Sequence, residues 1–125
     1  MIVGIGVDIV EIERLKATLE RQKDRFLRRV FTPAEQEYCL RHRNPGPHYA
    51  VRFAAKEALF KALGTGWAKG VSWLDVEVLR KGEGAPSMTL RGVAAEVGKD
   101  LGVQNIHLSL SHSEQNAVAV VILEK

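Results

Sequence analysis

The spacing of apolar positions predicts that strands open and close the chain and that helices lie between them. Residues 2–10 are rich in valine and isoleucine, with apolar side chains on both faces, which is typical of a β-strand. From Ile12 to about Val30 the apolar residues recur at the spacing of a helix. Near the end of the chain, residues 106–110 alternate between apolar and polar side chains, and an apolar strand follows over 117–123. These last two segments, separated by a polar turn, predict a hairpin.

The middle of the chain predicts further helices and a second hairpin. Residues 32–35, Thr-Pro-Ala-Glu, form a capping box with proline at the first helical position, so a helix should begin there. The remaining predicted elements are that helix to about Arg43, a turn at 44–47, a central helix over 48–63, strands at 74–80 and 87–90, and a short helix over 92–101. Together they predict an α+β protein in which an antiparallel sheet packs against a long central helix.

The central helix carries charges that its own stability does not require. Its apolar residues fall on two opposite sides: Val51, Ala54, Ala55, Ala58 and Ala62 on one, Phe53 and Phe60 on the other. Glu57 and Lys61 stand one turn apart between these sides, and Arg52 with Lys56 lies on the other flank. We therefore expect these charges at the edges of packed surfaces, where a site would lie. The simpler interpretation is an exposed pair that stabilises its own helix by about 0.2–0.5 kcal/mol.

Asp8 interrupts an otherwise apolar strand. Burying a carboxylate costs free energy unless it is paired or coordinates a cation, so Asp8 is either paired with an arginine, a cap for the next helix, or a metal ligand. If a metal binds, Asp8 and Glu57 are the available hard ligands, and they suit Mg²⁺, whose oxygen shell is completed by waters and phosphate. Gly4 and Gly6 in the same strand predict a bend or the close approach of another segment.

The composition is that of an ordinary globular protein. The chain has 125 residues, of which 46% are hydrophobic and 26% charged, so we expect one folded domain over residues 1–125. Cys39 is the only cysteine, which excludes an internal disulfide and a multi-cysteine metal site. No apolar run approaches the roughly 20 residues of a membrane span, and no basic segment opens the chain as in a signal peptide. These features predict a cytoplasmic protein without a membrane partner.

Basic residues are concentrated in the first predicted helix, which holds seven of them and only two acidic residues between Arg14 and Arg29. We call these residues the basic ridge: Arg14, Lys16, Arg21, Lys23, Arg25, Arg28 and Arg29. If the helix is continuous, four arginines align on one side: Arg14, Arg21, Arg25 and Arg28. The ridge is either a solvated helix face or a docking surface for an acidic protein, a nucleic acid or a membrane. Nucleic-acid sites typically have aromatic side chains that stack on bases. Phe26, on the apolar side of the helix, is the one aromatic residue among these basic residues, so an acidic protein is favoured.

His112 lies at the end of the predicted closing hairpin, in the segment Ser-Leu-Ser-His-Ser at 109–113. Hydroxyl groups and an imidazole converge there, although a histidine in this position is more often a simple turn residue. The other three histidines are His42, His48 and His107. None of the four has the spacing of a zinc-binding motif, so a zinc site is not expected.

Three segments carry a family resemblance: Gly4–Arg14 (G-I-G-V-D-I-V-E-I-E-R), Arg52–Gly66 (R-F-A-A-K-E-A-L-F-K-A-L-G-T-G) and His107–Ser113 (H-L-S-L-S-H-S). They closely resemble the holo-[acyl-carrier-protein] synthases, small 4′-phosphopantetheinyl transferases of fatty acid synthesis. The resemblance covers the full chain, and only the length of 81–86 is expected to vary. It implies the 4′-phosphopantetheinyl transferase fold. It also implies transfer of phosphopantetheine from coenzyme A to a serine of apo acyl carrier protein, with release of adenosine 3′,5′-bisphosphate.

The resemblance also implies roles for individual residues. Asp8 and Glu57 would hold Mg²⁺, and Lys61 would neutralise charge on the pyrophosphate of coenzyme A. Gly64 and Gly66 would let the backbone approach the nucleotide. The further candidates for coenzyme binding are Arg52, Ser111 and His112, with Arg52 and His112 placed at the 3′-phosphate. Glu57 is the nearest candidate base for the serine proton, directly or through a water, and the sequence leaves the base open.

The implied partners fit the charge of the chain. Acyl carrier proteins are small and acidic, so Arg14, Arg21 and Arg25 of the basic ridge would steer one into place. Members of the family resemble one another in forming trimers with active sites at subunit interfaces. A helix that is apolar on two opposite sides also suggests surface borrowed from a neighbouring copy.

Three functions of other classes remain open from the residues alone. A basic nucleic-acid-binding module explains the basic ridge but leaves Asp8 and Glu57 without a role. Another Mg²⁺-dependent phosphoesterase or nucleotide hydrolase explains the carboxylates and Lys61 but leaves the ridge unused. A purely structural protein predicts that neither coenzyme A nor metal changes the melting temperature.

Overall fold

The computed structural model describes all residues, 1–125, as two antiparallel sheets and five helices. The elements in chain order are β1 (Ile2–Glu11), α1 (Ile12–Gln22), α2 (Asp24–Val30), α3 (Pro33–Leu40), α4 (Gly46–Leu63), a 3-10 turn (Trp73–Asp75), β2 (Val76–Leu79), β3 (Ser87–Leu90), α5 (Gly92–Asp100), β4 (Asn105–His112) and β5 (Asn116–Glu124). Both predicted hairpins, β2–β3 and β4–β5, are confirmed. The helices lack the combination of length and apolar character that a membrane span requires.

The first strand and the central helix lie unusually close together. β1 pairs with β5, which pairs with β4, and α4 packs across this three-stranded sheet. A methyl group added at Gly6 would overlap the carbonyl oxygen of Ala58, and one added at Gly4 would overlap that of Ala62. The predicted close approach of another segment to these glycines is therefore confirmed. It brings the inner face of β1 against the middle of α4.

Both predicted apolar sides of α4 are covered, but the two core clusters divide the helix along its length and not by side. One buried cluster packs much of the helix against the β1-β5-β4 sheet, β2 and α5; its members on α4 are Ala54, Ala55, Ala58, Leu59, Phe60, Ala62 and Leu63. A second cluster joins the start of the helix to the first three helices: Ile12, Leu15, Val30, Phe31, Cys39, Tyr49, Ala50 and Val51 are among its members. The helix is thus the axis of the core.

The predicted continuous helix from Ile12 to Val30 is wrong, because the helix breaks at Lys23. Lys23 adopts a φ of 50°, and its N–H donates to the Leu19 carbonyl at 2.8 Å to close α1. The break turns α2 inward, so that Val30 is buried and Phe26 packs against aromatic neighbours. Burial of such side chains contributes roughly 1.5–3 kcal/mol each, which offsets the strain of about 1–3 kcal/mol at Lys23.

The expectation that Arg52 and Lys56 lie at the edges of packed surfaces is also wrong. Their exposed fractions are 2% and 0%, so both are core residues. The Lys56 ammonium forms an ion pair with Glu35 at 2.7 Å, and this carboxylate belongs to the predicted capping box, which is confirmed. A carboxylate on another helix offsets the cost of burying the lysine. No pattern within α4 indicates such a partner.

Three elements have boundaries that differ from those predicted by more than one residue. The strand expected over 74–80 is shortened to Val76–Leu79, because Ser72 and Asp75 form a capping box that starts the 3-10 turn at Trp73–Asp75. Helix α3 ends at Leu40 rather than near Arg43, and α4 already begins at Gly46.

Candidate active site

Asp8, Glu57 and Lys61 form one group, here called the carboxylate site, where β1 crosses the second half of α4. The Lys61 ammonium lies 2.9 Å from Asp8 Oδ1 and also donates to the Val7 carbonyl at 3.0 Å. Glu57 stands one turn before Lys61 on the same helix, and its carboxylate is close enough to Asp8 for the two charges to interact. The three residues from distant parts of the chain are therefore brought together. The predicted alternatives of an arginine partner or a helix cap for Asp8 are wrong, because its partner is Lys61.

Glu57 is the unbalanced charge of this group. No hydrogen bond or ion pair within the chain engages its carboxylate, in contrast to that of Asp8. Partial burial and the neighbouring Asp8 carboxylate raise the pKa of Glu57, while the Lys61 ammonium acts in the opposite direction. Two carboxylates with one ammonium leave the site with a net negative charge, which favours a cation.

The donors of the carboxylate site fit Mg²⁺. They are carboxylate oxygens, and the chain contains no group of three or more histidine, cysteine, aspartate or glutamate side chains arranged to hold a metal. Mg²⁺ is usually held by one or two carboxylates and completes its shell with waters and substrate phosphates. Asp8 and Glu57 match this pattern.

The backbone beyond Lys61 is open to a ligand. Gly64 and Gly66 have φ values of 77° and 52°, and apart from the adjacent residues no part of the chain lies within 4 Å of a Cβ atom added at either position. The left-handed conformation explains the glycines, since other residues adopt it at a cost. Both glycines are exposed, so the backbone after Lys61 carries no side chain at these two positions, and the predicted helix end at Gly64 is confirmed.

A second concavity, here called the hairpin pocket, lies near the first half of α4. Its lining residues come from α3, α4, the β2–β3 hairpin and the end of β4: Tyr38, His48, Val51, Arg52, Arg80, Pro86, Leu110, Ser111 and His112. Its volume within one chain is about 110 Å³. Three residues expected to bind the coenzyme, Arg52, Ser111 and His112, are thus brought together.

The hairpin pocket is positively charged and contains no acidic side chain. The Arg52 guanidinium stacks over the ring of Tyr38 at 4.2 Å and donates to the carbonyl oxygens of Val78 and His48, each at 3.2 Å. Burial, followed by the charge of His42, lowers the pKa of His48 to about 4, so this imidazole is neutral near pH 7. With Arg52 and Arg80 both charged, the pocket suits an anion that also presents a flat or apolar part.

Several residues of this pocket escaped the sequence analysis. His48 lies one turn before Arg52, so the helical spacing from Arg52 was sufficient to find it. Tyr38, Arg80 and Pro86 come from elements with no local pattern that relates them to Arg52. Only the tertiary structure places them there.

The carboxylate site and the hairpin pocket have no lining residue in common, but α4 connects them. From Arg52 to Glu57 the helix rises about 8 Å, at 1.5 Å per residue. Over the same five residues the helix turns by about 140°, so the two sites face different sides of α4. The arginines expected to dock a partner are all exposed, Arg14 and Arg21 on α1 and Arg25 on α2, although the break at Lys23 prevents one straight row.

Comparison with known proteins identifies the family. The family model described as the 4′-phosphopantetheinyl transferase superfamily matches residues 4–121. A holo-[acyl-carrier-protein] synthase from Koribacter versatilis is 52% identical over 124 residues, 99% of each chain. The chain belongs to the holo-[acyl-carrier-protein] synthase family. It is an enzyme of the phosphopantetheinyl transferase type. A second family member, from Maridesulfovibrio salexigens, is 46% identical over the whole of both chains.

Solved structures of the family share the fold. The holo-[acyl-carrier-protein] synthase from Neisseria meningitidis is 34% identical, with a TM-score of 0.89 over 100% of both chains. That from Helicobacter pylori, solved in complex with coenzyme A, is 35% identical, with a TM-score of 0.83 over 96% of this chain and 99% of that one. The predicted α+β fold of the phosphopantetheinyl transferases is therefore confirmed.

Proposed function

We propose that the protein transfers 4′-phosphopantetheine from coenzyme A to a serine of an acyl carrier protein, with Mg²⁺ held by Asp8 and Glu57. The serine hydroxyl attacks the phosphorus next to the pantetheine, the bond to the second phosphate breaks, and adenosine 3′,5′-bisphosphate leaves as the serine proton is taken up. The observation that carries this proposal is the carboxylate site, where the unpartnered Glu57 lies beside the Asp8–Lys61 ion pair.

The residues of the carboxylate site have complementary roles in this reaction. When bound, Mg²⁺ would draw charge from the pyrophosphate oxygens and fix their position. The Lys61 ammonium, whose side chain is 53% exposed, places a positive charge where the leaving bisphosphate gains a negative one. Glu57 would also be the nearest carboxylate to accept the serine proton, directly or through a water. The bare backbone at Gly64 and Gly66 leaves room for the substrate.

The hairpin pocket would bind the nucleotide end of coenzyme A. Arg52, Arg80 and His112 supply positive or donor groups for the 3′-phosphate, and Ser111 supplies a hydroxyl. In one chain this pocket measures about 110 Å³, which is well below the roughly 300–1,000 Å³ of typical small-molecule sites. A second copy of the chain would have to complete it.

The outer face of the three-stranded sheet supports assembly into a homotrimer. Ile5, Val7 and Ile9 of β1 are 62%, 56% and 65% exposed in the isolated chain. They pair in register with further apolar residues of β5, Ile122, Val120 and Val118. A continuous apolar face of this kind marks a protein interface. We therefore place the active sites at the interfaces between copies, where the carboxylate site of one chain meets a neighbour.

Charge on this face should disrupt the assembly. Val7→Glu places a carboxylate at the centre of the apolar face, so we expect monomers and a transfer rate lowered by at least about tenfold, because burying an unpaired charge is costly. Light scattering after gel filtration measures the mass, and a transfer assay measures the rate. Leu40→Glu, at another exposed apolar position, serves as the matched control and should change neither. A fully active monomer would refute the shared site.

Loss of an arginine from the basic ridge should weaken the interaction with the carrier protein and leave that with coenzyme A unchanged. Arg21→Ala removes an exposed charge on α1, so the KM for carrier protein should rise about threefold to tenfold and depend less on salt, while the KM for coenzyme A stays unchanged. Steady-state kinetics with each substrate varied in turn measures both constants. Arg14→Ala should behave alike, and Lys99→Ala on α5 is the control. Equal effects on the KM for carrier protein and the KM for coenzyme A would show that the basic ridge does not dock the carrier protein.

The reaction itself is tested by intact mass spectrometry. Apo acyl carrier protein incubated with the enzyme, coenzyme A and Mg²⁺ should gain the mass of one phosphopantetheine, and chelation of the metal should abolish the gain. Hydrolysis of coenzyme A without any carrier protein would favour a phosphoesterase instead. Salt-dependent binding to DNA or RNA at physiological ionic strength would favour a nucleic-acid-binding module.

A further inference from the structure

The β2–β3 hairpin is joined to the helices through charged side chains. It forms a two-stranded sheet separate from the three-stranded one, so no neighbouring strand satisfies the free edge of β2. On that edge the Val78 N–H donates to Glu35 Oε2 at 2.8 Å, and the Val78 carbonyl accepts from Arg52 Nε at 3.2 Å. A carboxylate of α3 and a guanidinium of α4 thus take the place of a third strand.

Glu35 is in turn fixed by a buried ion pair. Its side chain and that of Lys56 are both 0% exposed, and Lys56 Nζ lies 2.7 Å from Glu35 Oε1. The ammonium also donates to the carbonyl oxygens of Val30 and Trp73, at 2.6 and 3.1 Å, so its three protons are all used. The Glu35 carboxylate accepts in addition from the Thr32 N–H at 2.9 Å. Every polar atom of the pair is therefore satisfied and held in one orientation.

Stability alone does not explain this pair. Removing two charges from water costs several kcal/mol per ion, and well-packed apolar residues of the same size are often at least as stabilising. The pair also fixes the orientation of the Glu35 carboxylate. Thr32 and Lys56 donate to Oε1, which leaves Oε2 to accept from the Val78 N–H. Thr32 strengthens the same connection, since its hydroxyl donates to Glu77 Oε2 of β2 at 2.6 Å.

The hairpin held in this way carries part of the hairpin pocket. Arg80 lies two residues beyond Val78, and Pro86 lies just before β3; both line the pocket. Helix α4 is positioned by two core clusters and by its close approach to Gly4 and Gly6. The hairpin shares one of these clusters through Val76 and Val78, and the hydrogen bond from Val78 to Glu35 fixes the position of β2 along α3 in addition.

We propose that Glu35 and Lys56 are a positioning pair, which fixes the β2–β3 hairpin against the helices, places Arg80 in the hairpin pocket and so sets the affinity for the anionic nucleotide end of coenzyme A. This inference rests on the proposed function of the pocket. Lys56 precedes Glu57 in the chain, but the side chains of the pair form no hydrogen bond or ion pair with Asp8, Glu57 or Lys61. It acts on binding of the coenzyme and leaves the chemical step and carrier docking unchanged.

The test uses the neutral double variant Glu35→Gln/Lys56→Met, which removes both charges and leaves no unpaired ion in the core. The full-length variant should fold and assemble as the wild type does, bind coenzyme A about tenfold more weakly, and keep kcat and the KM for carrier protein within about twofold. Calorimetric titration with coenzyme A and steady-state kinetics supply these values. Should this variant not fold, Glu35→Asp keeps both charges but shortens the carboxylate, and the same changes are expected in it.

A cycle with Arg80→Ala tests the route through the hairpin. Arg80→Ala alone should weaken coenzyme A binding, and adding the double variant should weaken it little further, because the arginine whose place the pair sets is already absent. If the two changes instead lower the affinity for coenzyme A independently, so that their fold-changes multiply, the pair does not act through Arg80. Unchanged coenzyme affinity in a folded double variant, or a fall in kcat alone, would overturn the positioning role. Failure of the wild type to bind coenzyme A would instead overturn the proposed function of the pocket, and the inference with it.

Discussion

Replacing Glu57 with glutamine should lower the rate of phosphopantetheine transfer by about a thousandfold or more, with the fold retained. The amide has the shape of the carboxylate but neither binds Mg²⁺ as strongly nor accepts a proton. Glu57 is also the member of the carboxylate site that has no partner within the chain, so no internal contact is lost. Intact mass spectrometry of the carrier protein over time gives the rate. Glu13→Gln, at an exposed carboxylate on α1, is the control and should be fully active.

The melting temperature of Glu57→Gln should distinguish the effect of Glu57 on metal binding from its effect on stability. Because burial and Asp8 raise the pKa of Glu57 in the folded protein, its contribution to stability is largest when it is protonated and is lost as the pH rises through the folded pKa. At a pH above that folded pKa and without metal, the ionised carboxylate therefore works against folding, and Glu57→Gln should melt at the same temperature as the wild type or higher. Added Mg²⁺ should raise the melting temperature of the wild type only. A variant that retains more than about a tenth of the activity would contradict the proposed role.

Gly6→Ala should destabilise the protein by about 3 kcal/mol or more, because the new methyl group overlaps the Ala58 carbonyl oxygen and forces β1 away from α4. For a domain of this size, the melting temperature should fall by roughly 10 °C or more. Activity should fall further than the loss of folded protein explains, since Asp8 lies on the displaced strand and Glu57 on the helix. Thermal unfolding and transfer rates below the melting temperature measure the two effects.

Gly98→Ala is the matched control for this substitution. Gly98 lies inside α5, and the nearest atom to an added methyl group, Leu90 Cδ1, is 3.6 Å away, an ordinary packing distance. Because alanine favours a helix over glycine, stability should be unchanged or rise by up to about 1 kcal/mol. Equal melting temperatures for Gly6→Ala and the wild type would show that the strand and helix are not locked together as described.

Local sequence was sufficient to predict most of the elements and to single out Asp8 and Glu57 as candidate ligands. The two hairpins and the capping box at Thr32 follow from alternation and turn chemistry, which depend on neighbouring residues. Gly4 and Gly6 predicted a bend or the close approach of another segment, and the segment is α4, whose Ala58 carbonyl leaves no space for a side chain at Gly6. Asp8 and Glu57 were recognisable because a carboxylate in an apolar strand and one between two apolar helix faces both need a partner.

The remaining features depend on residues far apart in the chain. The break at Lys23 has no breaker in the sequence; it follows from the burial of Phe26 and Val30 against elements that come later. Lys56 and Glu57 are adjacent and both charged, yet Lys56 is fully buried and Glu57 only partly, because only Lys56 meets the carboxylate of Glu35. Local periodicity reports which face a side chain occupies, whereas the charge it meets there is set by how the elements pack.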